Sequence, residues 1–338
     1  MKGLLPKTKP PIDRGTFWKK DKRPGINKRA YSEKPMTVCI AAICDSISPS
    51  PKIVFASDRL VSAGVSFESG VSKSQYLTPN AWIMSSSNDA LASDGIILKI
   101  QKILADSPDA GKQIPIEQIA NMISQECKNK IRLERENQVF SQFGINESDF
   151  AEKSIKISTL VVADILNRLR EFKYQFEVEF LVIGFDFIPA KNLYMPHIYS
   201  INELGDILPT DHLGFATSGS GKYLAFPEIT KYAYQPNTPL SEAVLRVYWS
   251  KKIAERVGGV GKETDLLILH AIKDGVKLWI APPETKKMLD DKLEAVRKDE
   301  IKISLEVITE LNNTVFNPVN QQNIQQEVKE TKTISEKS

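Results

Sequence analysis

Early in the chain stand three side chains whose chemistries complement one another. Thr37 heads the apolar stretch Thr37-Val-Cys-Ile-Ala-Ala-Ile-Cys-Asp45, Asp58 ends Lys52-Ile-Val-Phe-Ala-Ser-Asp58, and Lys73 sits in a polar Ser72-Lys-Ser74 setting. Far downstream, Thr217-Ser-Gly-Ser-Gly221 contributes Ser220. A threonine hydroxyl is a poor nucleophile alone, but when threonine is the first residue its free α-amine lies close enough to act as base. That amine has an ordinary pKa near ~8, so part of it is unprotonated at neutral pH. A lysine ammonium favours the hydroxyl's anion, and a carboxylate keeps the lysine charged and in place. The set points to acyl transfer through a threonine oxygen, chemistry that needs no cofactor and no metal. Met36 immediately precedes Thr37, so a start at Met36 followed by methionine removal exposes Thr37 directly.

Each residue also has an ordinary reading. Threonine is a good strand former, Asp58 beside Arg59 suits a surface ion pair, and Lys73 suits a solvated lysine. Gly219-Ser-Gly-Lys222 invites comparison with a phosphate-cradling loop, but that loop needs glycine five residues before Gly221 and Ser or Thr after the lysine, where Ala216 and Tyr223 stand. The glycines instead let a strand turn sharply into a helix, placing the Ser220 hydroxyl to relay protons or to cap that helix.

The elements that must position these residues follow from periodicity. The first two apolar stretches are nearly continuous, as expected for strands covered on both faces. Gly64 to Gly70 reads as a loop into the Lys73 segment, and Ala81-Trp-Ile-Met-Ser85 as a strand ending in a polar turn, Ser85-Ser-Ser-Asn88. Helical spacing follows in Ile96, Ile97, Ile100, Ile103 and Leu104, then in Ile116, Ile119, Ala120, Ile123, Cys127 and Ile131. Residues 132–176 read as a partly helical insertion with a stripe at Val162, Ile165, Leu166 and Leu169. Strands return at 177–187, 196–201 and 213–217. Helices follow near 223–232 and at 240–257, the latter turning Ala243, Val244, Val247, Tyr248 and Ala254 inward. Residues 265–270 and 275–280 form a hairpin turning through Lys273-Asp-Gly275.

Composition bounds the rest. With 338 residues, 41% of them hydrophobic, the chain can bury one substantial core. No apolar run approaches the ~20 residues of a membrane span. Cys39 and Cys44, five apart on one strand, face opposite sides and suit no disulfide with each other; a reducing, cytoplasmic setting is expected. His197, His212 and His270 lack ligand-spaced companions, so no metal site is expected. The net charge of +3 hides an asymmetry: residues 1–36 carry eleven Lys/Arg against three Asp/Glu, or +8, which leaves −5 for the remainder. This basic, proline-rich extension lacks the apolar core of a secretory signal, and no motif beside it indicates nucleic-acid binding. Its composition suits disorder, a propeptide or arm, or a segment ahead of the true start.

In order and spacing, these residues resemble the proteasome β-subunit family of N-terminal-nucleophile hydrolases, which includes bacterial proteasome-like peptidase subunits. In that family the first strand opens with Thr, the second ends in Asp, a Lys follows a short loop later, and a Gly-Ser-Gly turn supplies a serine; here these read Thr37, Asp58, Lys73 and Gly219-Ser220-Gly221. The similarity runs from Thr37 to about Ile280 and takes in 180–186, 196–202 with Gly205, and the amphipathic run after Pro239. It implies an α+β, four-layer αββα sandwich over 37–283, flanked by the 1–36 extension, a helical segment at 284–311 and a polar, disordered tail at 312–338. It implies a threonine-type peptidase with Thr37, Asp58, Lys73 and Ser220 as catalytic residues, an oxyanion region near Ser86, a homo-oligomeric ring, polypeptide substrate and an ATPase unfoldase as partner. Leu98, Ile97 and the 116–131 stripe are the candidate surface between subunits. A non-catalytic subunit of the same fold, or an amidase acting on a small or dedicated substrate, are the alternatives. Two departures stand out: Ser85–Asn88 replaces the family's pair of glycines, and Val257-Gly-Gly-Val260 replaces an Asp and a Ser that support the amine.

Overall fold

A computed structural model describes residues 37–311, except 63–65, 69–71, 88–89, 108–112, 175–176, 232 and 258. The expectations for the basic extension and the polar tail lie outside these residues.

Among the described residues the long ladders form two five-stranded sheets, antiparallel throughout. The first is built from β1 (Cys39–Cys44), β2 (Lys52–Asp58), β10 (Phe215–Ser218), β11 (Thr264–Ile272) and β12 (Gly275–Ile280), in the order β10-β1-β2-β11-β12. The second runs in chain order through β5 (Ser74–Thr78), β6 (Ala81–Ser87), β7 (Val178–Ile188), β8 (Leu193–Ile201) and β9 (Ile207–Pro209). A small antiparallel pair joins β3 (Leu60–Ser62) to β4 (Ser66–Glu68), the latter a short strand inside the 64–70 stretch expected as a loop, of which 64–65 and 69–70 lie outside the described residues.

The near-continuous apolar character of β1 has a direct cause. Side chains alternate across a strand, and every residue of β1 is buried. Cys39, Ala41 and Ile43 enter a cluster shared by both sheets, with Phe55, Met84, Leu181, Ile183 and Leu269. Ile40, Ala42 and Cys44 enter a different cluster, with Ala225 and Ile229 of α5 (Lys222–Thr230) and Ala243, Val247, Tyr248 and Ala254 of α6 (Leu240–Ala254). Cys39 and Cys44 thus lie on opposite faces, and both are free thiols. Each large aliphatic buried this way contributes about 1.5–3 kcal/mol, so both faces of the strand must be apolar.

The second sheet has its own helical cover. Ile96, Ile97 and Ile100 of α1 (Ala90–Asp106) and Ile116, Ile119 and Ile123 of α2 (Ile116–Arg135) pack on Ile83, Phe180, Val182 and Ile201. This corrects the expectation for a subunit surface: Ile97 and the α2 stripe are spent on the chain's own sheet, because a 3.6-period stripe covers only one face, and Leu98 alone of that set's α1 pair is exposed. The insertion after α2 forms a satellite core. Val139, Phe140 and Ile165 are buried among Phe143, Phe150 of α3 (Glu147–Lys153), and Val161 and Leu169 of α4 (Thr159–Glu171), while Leu166 faces outward. Finally α7 (Pro283–Leu311) docks through Leu289 and Leu293 and is exposed from Lys298 onward. Among the described residues no helix is long and apolar enough to cross a membrane.

Candidate active site

The register of the first sheet brings the dispersed site residues together. Pairing of Cys39 with Ser57 and of Cys39 with Ser218 sets Thr37, just ahead of β1, between the end of β2 and the end of β10. Asp58 N–H bonds Val38 O (3.3 Å), and Gly221 N–H bonds Thr37 O (3.0 Å), closing the Ser220 turn against the threonine. Gly219 lies at φ +82°, and a Cβ there would stand 2.3 Å from Thr37 O. The glycine is required twice, for the left-handed turn and for the close approach.

Lys73 reaches the site from the other sheet, just ahead of β5. Its ammonium donates to Thr37 Oγ1 and, at 2.9 Å, to Asp58 Oδ1. Asp58 is completely buried, yet each oxygen is doubly bonded: Oδ1 accepts from Lys73 and Val38 N–H (3.0 Å), Oδ2 from Leu60 N–H (3.2 Å) and Gly261 N–H (3.1 Å). A carboxylate has about four lone-pair sites, so this one is saturated, which is what permits a buried charge at all. Ser220 Oγ accepts from the Thr37 N–H at 3.2 Å. Thus Thr37, Asp58, Lys73 and Ser220, spread over more than half of the sequence, form one contiguous network in which the hydroxyl oxygen faces a cation and the threonine nitrogen faces a hydroxyl.

The oxyanion expectation centred on Ser86. Ser85–Ser87 continue β6 rather than forming a polar turn, and Asn88 lies outside the described residues. Ser85 N–H crosses to Lys73 O, just ahead of β5, so alternation points the Ser86 N–H into the β7 ladder opposite Glu179. It is not a free donor. The Ser86 hydroxyl is buried against Ser218 Oγ (3.1 Å) and Glu179 O (3.4 Å). Cys39, also beside the site, is no rival nucleophile, since burial pushes its thiol up to about 12.

No protein-family model matches this chain, and no curated protein matches it. The assignment of the site therefore rests on its geometry.

Several residues that hold the site were not visible as such in the sequence. Glu179 accepts from Gly219 N–H at 2.8 Å and pairs with Lys222, fixing the Ser220 turn to the second sheet. Gly261 supplies a donor to Asp58, and Val260 is buried next to Gly221, whose Cβ would lie 3.2 Å from Val260 Cγ2. Val260, in the segment read as a departure at the amine, thus packs against the Ser220 turn, and the next residue, Gly261, serves Asp58 through its main chain. The one available signal was Lys251, in phase with Val247 and Ala254 on the buried stripe of α6, where a lysine has no business without partners.

Proposed function

We propose that the chain from Thr37 onward is a threonine-type peptidase of the N-terminal-nucleophile class, with the four-layer αββα architecture of proteasome β-subunits. Three apolar clusters support the architecture: one between the sheets and one between each sheet and its helices. The observation that carries the reading is Lys73 Nζ bridging Thr37 Oγ1 and Asp58 Oδ1, with Ser220 Oγ at the threonine nitrogen.

With Thr37 first in the chain, its α-amine takes the hydroxyl proton, directly or through Ser220, as Oγ1 attacks a peptide carbonyl. The Lys73 ammonium favours the developing alkoxide, and Asp58 holds that ammonium in place. Collapse of the tetrahedral adduct returns the proton to the leaving amine and leaves an ester on Oγ1. Water, deprotonated by the same amine, hydrolyses it. A homo-oligomeric ring fed unfolded polypeptide by an ATPase unfoldase in the cytoplasm completes the proposal.

One fact favours a second reading. In the full sequence the Thr37 nitrogen is joined to Met36, and an amide nitrogen cannot act as base, so a chain that keeps this bond is a structural subunit. Intact-mass measurement of natively expressed protein, followed by incubation with a peptide epoxyketone or β-lactone, separates the two. The peptidase gains one adduct on a chain beginning at Thr37, and Thr37→Ala gains none. A chain that retains residues 1–36 and never labels sinks the peptidase reading.

A further inference from the structure

Outside the network already described, Lys251 is a buried lysine among the described residues that needs several partners at once. Its side chain is fully buried in the last turn of α6. Its ammonium donates to Glu255 Oε1 (2.6 Å) and meets three consecutive main-chain oxygens, Gly261 O (2.8 Å), Lys262 O (3.1 Å) and Glu263 O (3.1 Å). Three carbonyls from adjacent residues that converge on one point repel one another through their dipoles, and a cation placed there offsets that repulsion. An ammonium has three protons for these four acceptors, so the segment is wrapped around the charge.

The wrapped segment is the one that touches Asp58. Gly261 gives its carbonyl to Lys251 and its N–H to Asp58 Oδ2 (3.1 Å), so a single residue links the two buried charges. It is also pressed against the site, since a Cβ on Gly261 would stand 2.8 Å from Leu60 N and 3.1 Å from Asp58 Oδ2. We infer that Lys251 is a positioning residue: its ammonium folds residues 261–263 into the shape that aims the Gly261 N–H at Asp58 Oδ2, the oxygen that Lys73 does not use. Losing this donor leaves one lone pair of a buried carboxylate unmet, and the carboxyl then turns from the geometry that presents Lys73 to Thr37. A clamp serving only to tie α6 to the start of β11 predicts no such link. The consequence for catalysis rests on the proposed function above; the structural link does not.

Lys251→Met, which keeps the buried stem and removes the charge, separates these readings. In the full chain, residue-resolved amide hydrogen exchange is expected to show Gly261 exchanging at least ~10-fold faster, the scale for loss of one hydrogen bond, with Leu267 and Ile268 of β11 unchanged. Lys251→Gln, which keeps two donors for the carbonyls, is expected to fold if the methionine variant does not, and to accelerate Gly261 less. Unchanged Gly261 exchange, or acceleration only in step with β11, overturns the inference. In a chain beginning at Thr37, the maximal rate of epoxyketone labelling is expected to fall about tenfold with the inhibitor's binding constant unchanged, while Ile229→Val, a destabilising control away from the network, keeps the wild-type rate. If the wild-type chain never labels, the peptidase reading fails and the exchange data still decide the role of Lys251.

Discussion

The two ends of the first sheet carry the same inventory and do different things with it. At one end stand a hydroxyl, an ammonium and a carboxylate in Thr37, Lys73 and Asp58. At the other end of β1, β2 and β11 stand Ser50, Lys52 and Asp45, with His270 added. Lys52 bonds Asp45 Oδ2 at 2.9 Å, as Lys73 bonds Asp58, but its second partner is the main-chain oxygen of Ser50, at 3.1 Å, and not the hydroxyl. The Ser50 hydroxyl gives its proton to Ala271 O, which leaves His270 Nε2–H to donate to Ser50 Oγ at 2.6 Å. That hydroxyl spends its proton on a carbonyl and accepts from an imidazole rather than from a lysine ammonium. Exposure differs as well: the Lys52 and Asp45 side chains are 17% and 26% exposed, those of Lys73 and Asp58 12% and 0%. Residue types do not make a nucleophile. The direction of the hydrogen bonds and the exclusion of water do.

The largest expected difference between the ends is chemical. Lys73→Ala is expected to slow epoxyketone labelling of the processed chain by ~10²-fold or more, the usual worth of electrostatic or acid–base assistance. Lys52→Ala and Ser50→Ala are expected to leave it unchanged. Equal losses from Lys52→Ala and Lys73→Ala would erase the distinction drawn here.

Stability separates the ends next. Asp58→Ala strands a buried ammonium and is expected to cost roughly 3–5 kcal/mol, whereas Asp45→Ala breaks a partly exposed pair worth up to about 1 kcal/mol. Denaturant midpoints at constant slope measure both. Two glycines sharpen the contrast further. Gly219→Ala adds to the ~1–2 kcal/mol of a left-handed backbone a contact with Thr37 O, and should lower the labelling rate together with the melting temperature. Gly275→Ala, at φ +138° in the β11–β12 turn with open space around it, should lower the melting temperature alone.

The smallest effect concerns pH. Burial first, then Lys52 and Lys277, hold His270 below its ordinary pKa. On this group alone, stability is present above the unfolded value of about 6.5 and is lost as pH falls through the folded value. His270→Asn should therefore flatten the acid limb of a melting-temperature profile. His197 titrates in the opposite sense. Although burial opposes it, hydrogen bonding to Asp211 and the charges of Asp211, Asp186 and Glu117 raise its pKa, so its contribution is present below about 6.5 and fades as pH rises. His197→Gln should lower stability at pH 5.5 more than at pH 8.

What the sequence determined by itself was local. Continuous apolarity in β1 and β2 announced strands dry on both faces, 3.6-residue stripes placed α1, α2 and α6, and the turn at Lys273-Asp-Gly275 placed the last hairpin, because pleat and helix pitch are imposed residue by residue. That Thr37, Asp58, Lys73 and Ser220 could complement one another was legible for the same reason: a hydroxyl, a cation and a carboxylate are recognisable by type. Only the tertiary structure decided which oxygen each donor meets. Whether Ser86 N–H is free depends on which way a strand's alternation falls, and that is fixed by pairing with β5 and β7. Whether Lys251 is a surface lysine or the centre of a carbonyl cage depends on a segment ten residues later folding back onto it. Hydrogen bonds are directional and buried charges tolerate no missing partner, so the site was settled by register and burial, which belong to pairs of distant segments and are written in neither one alone.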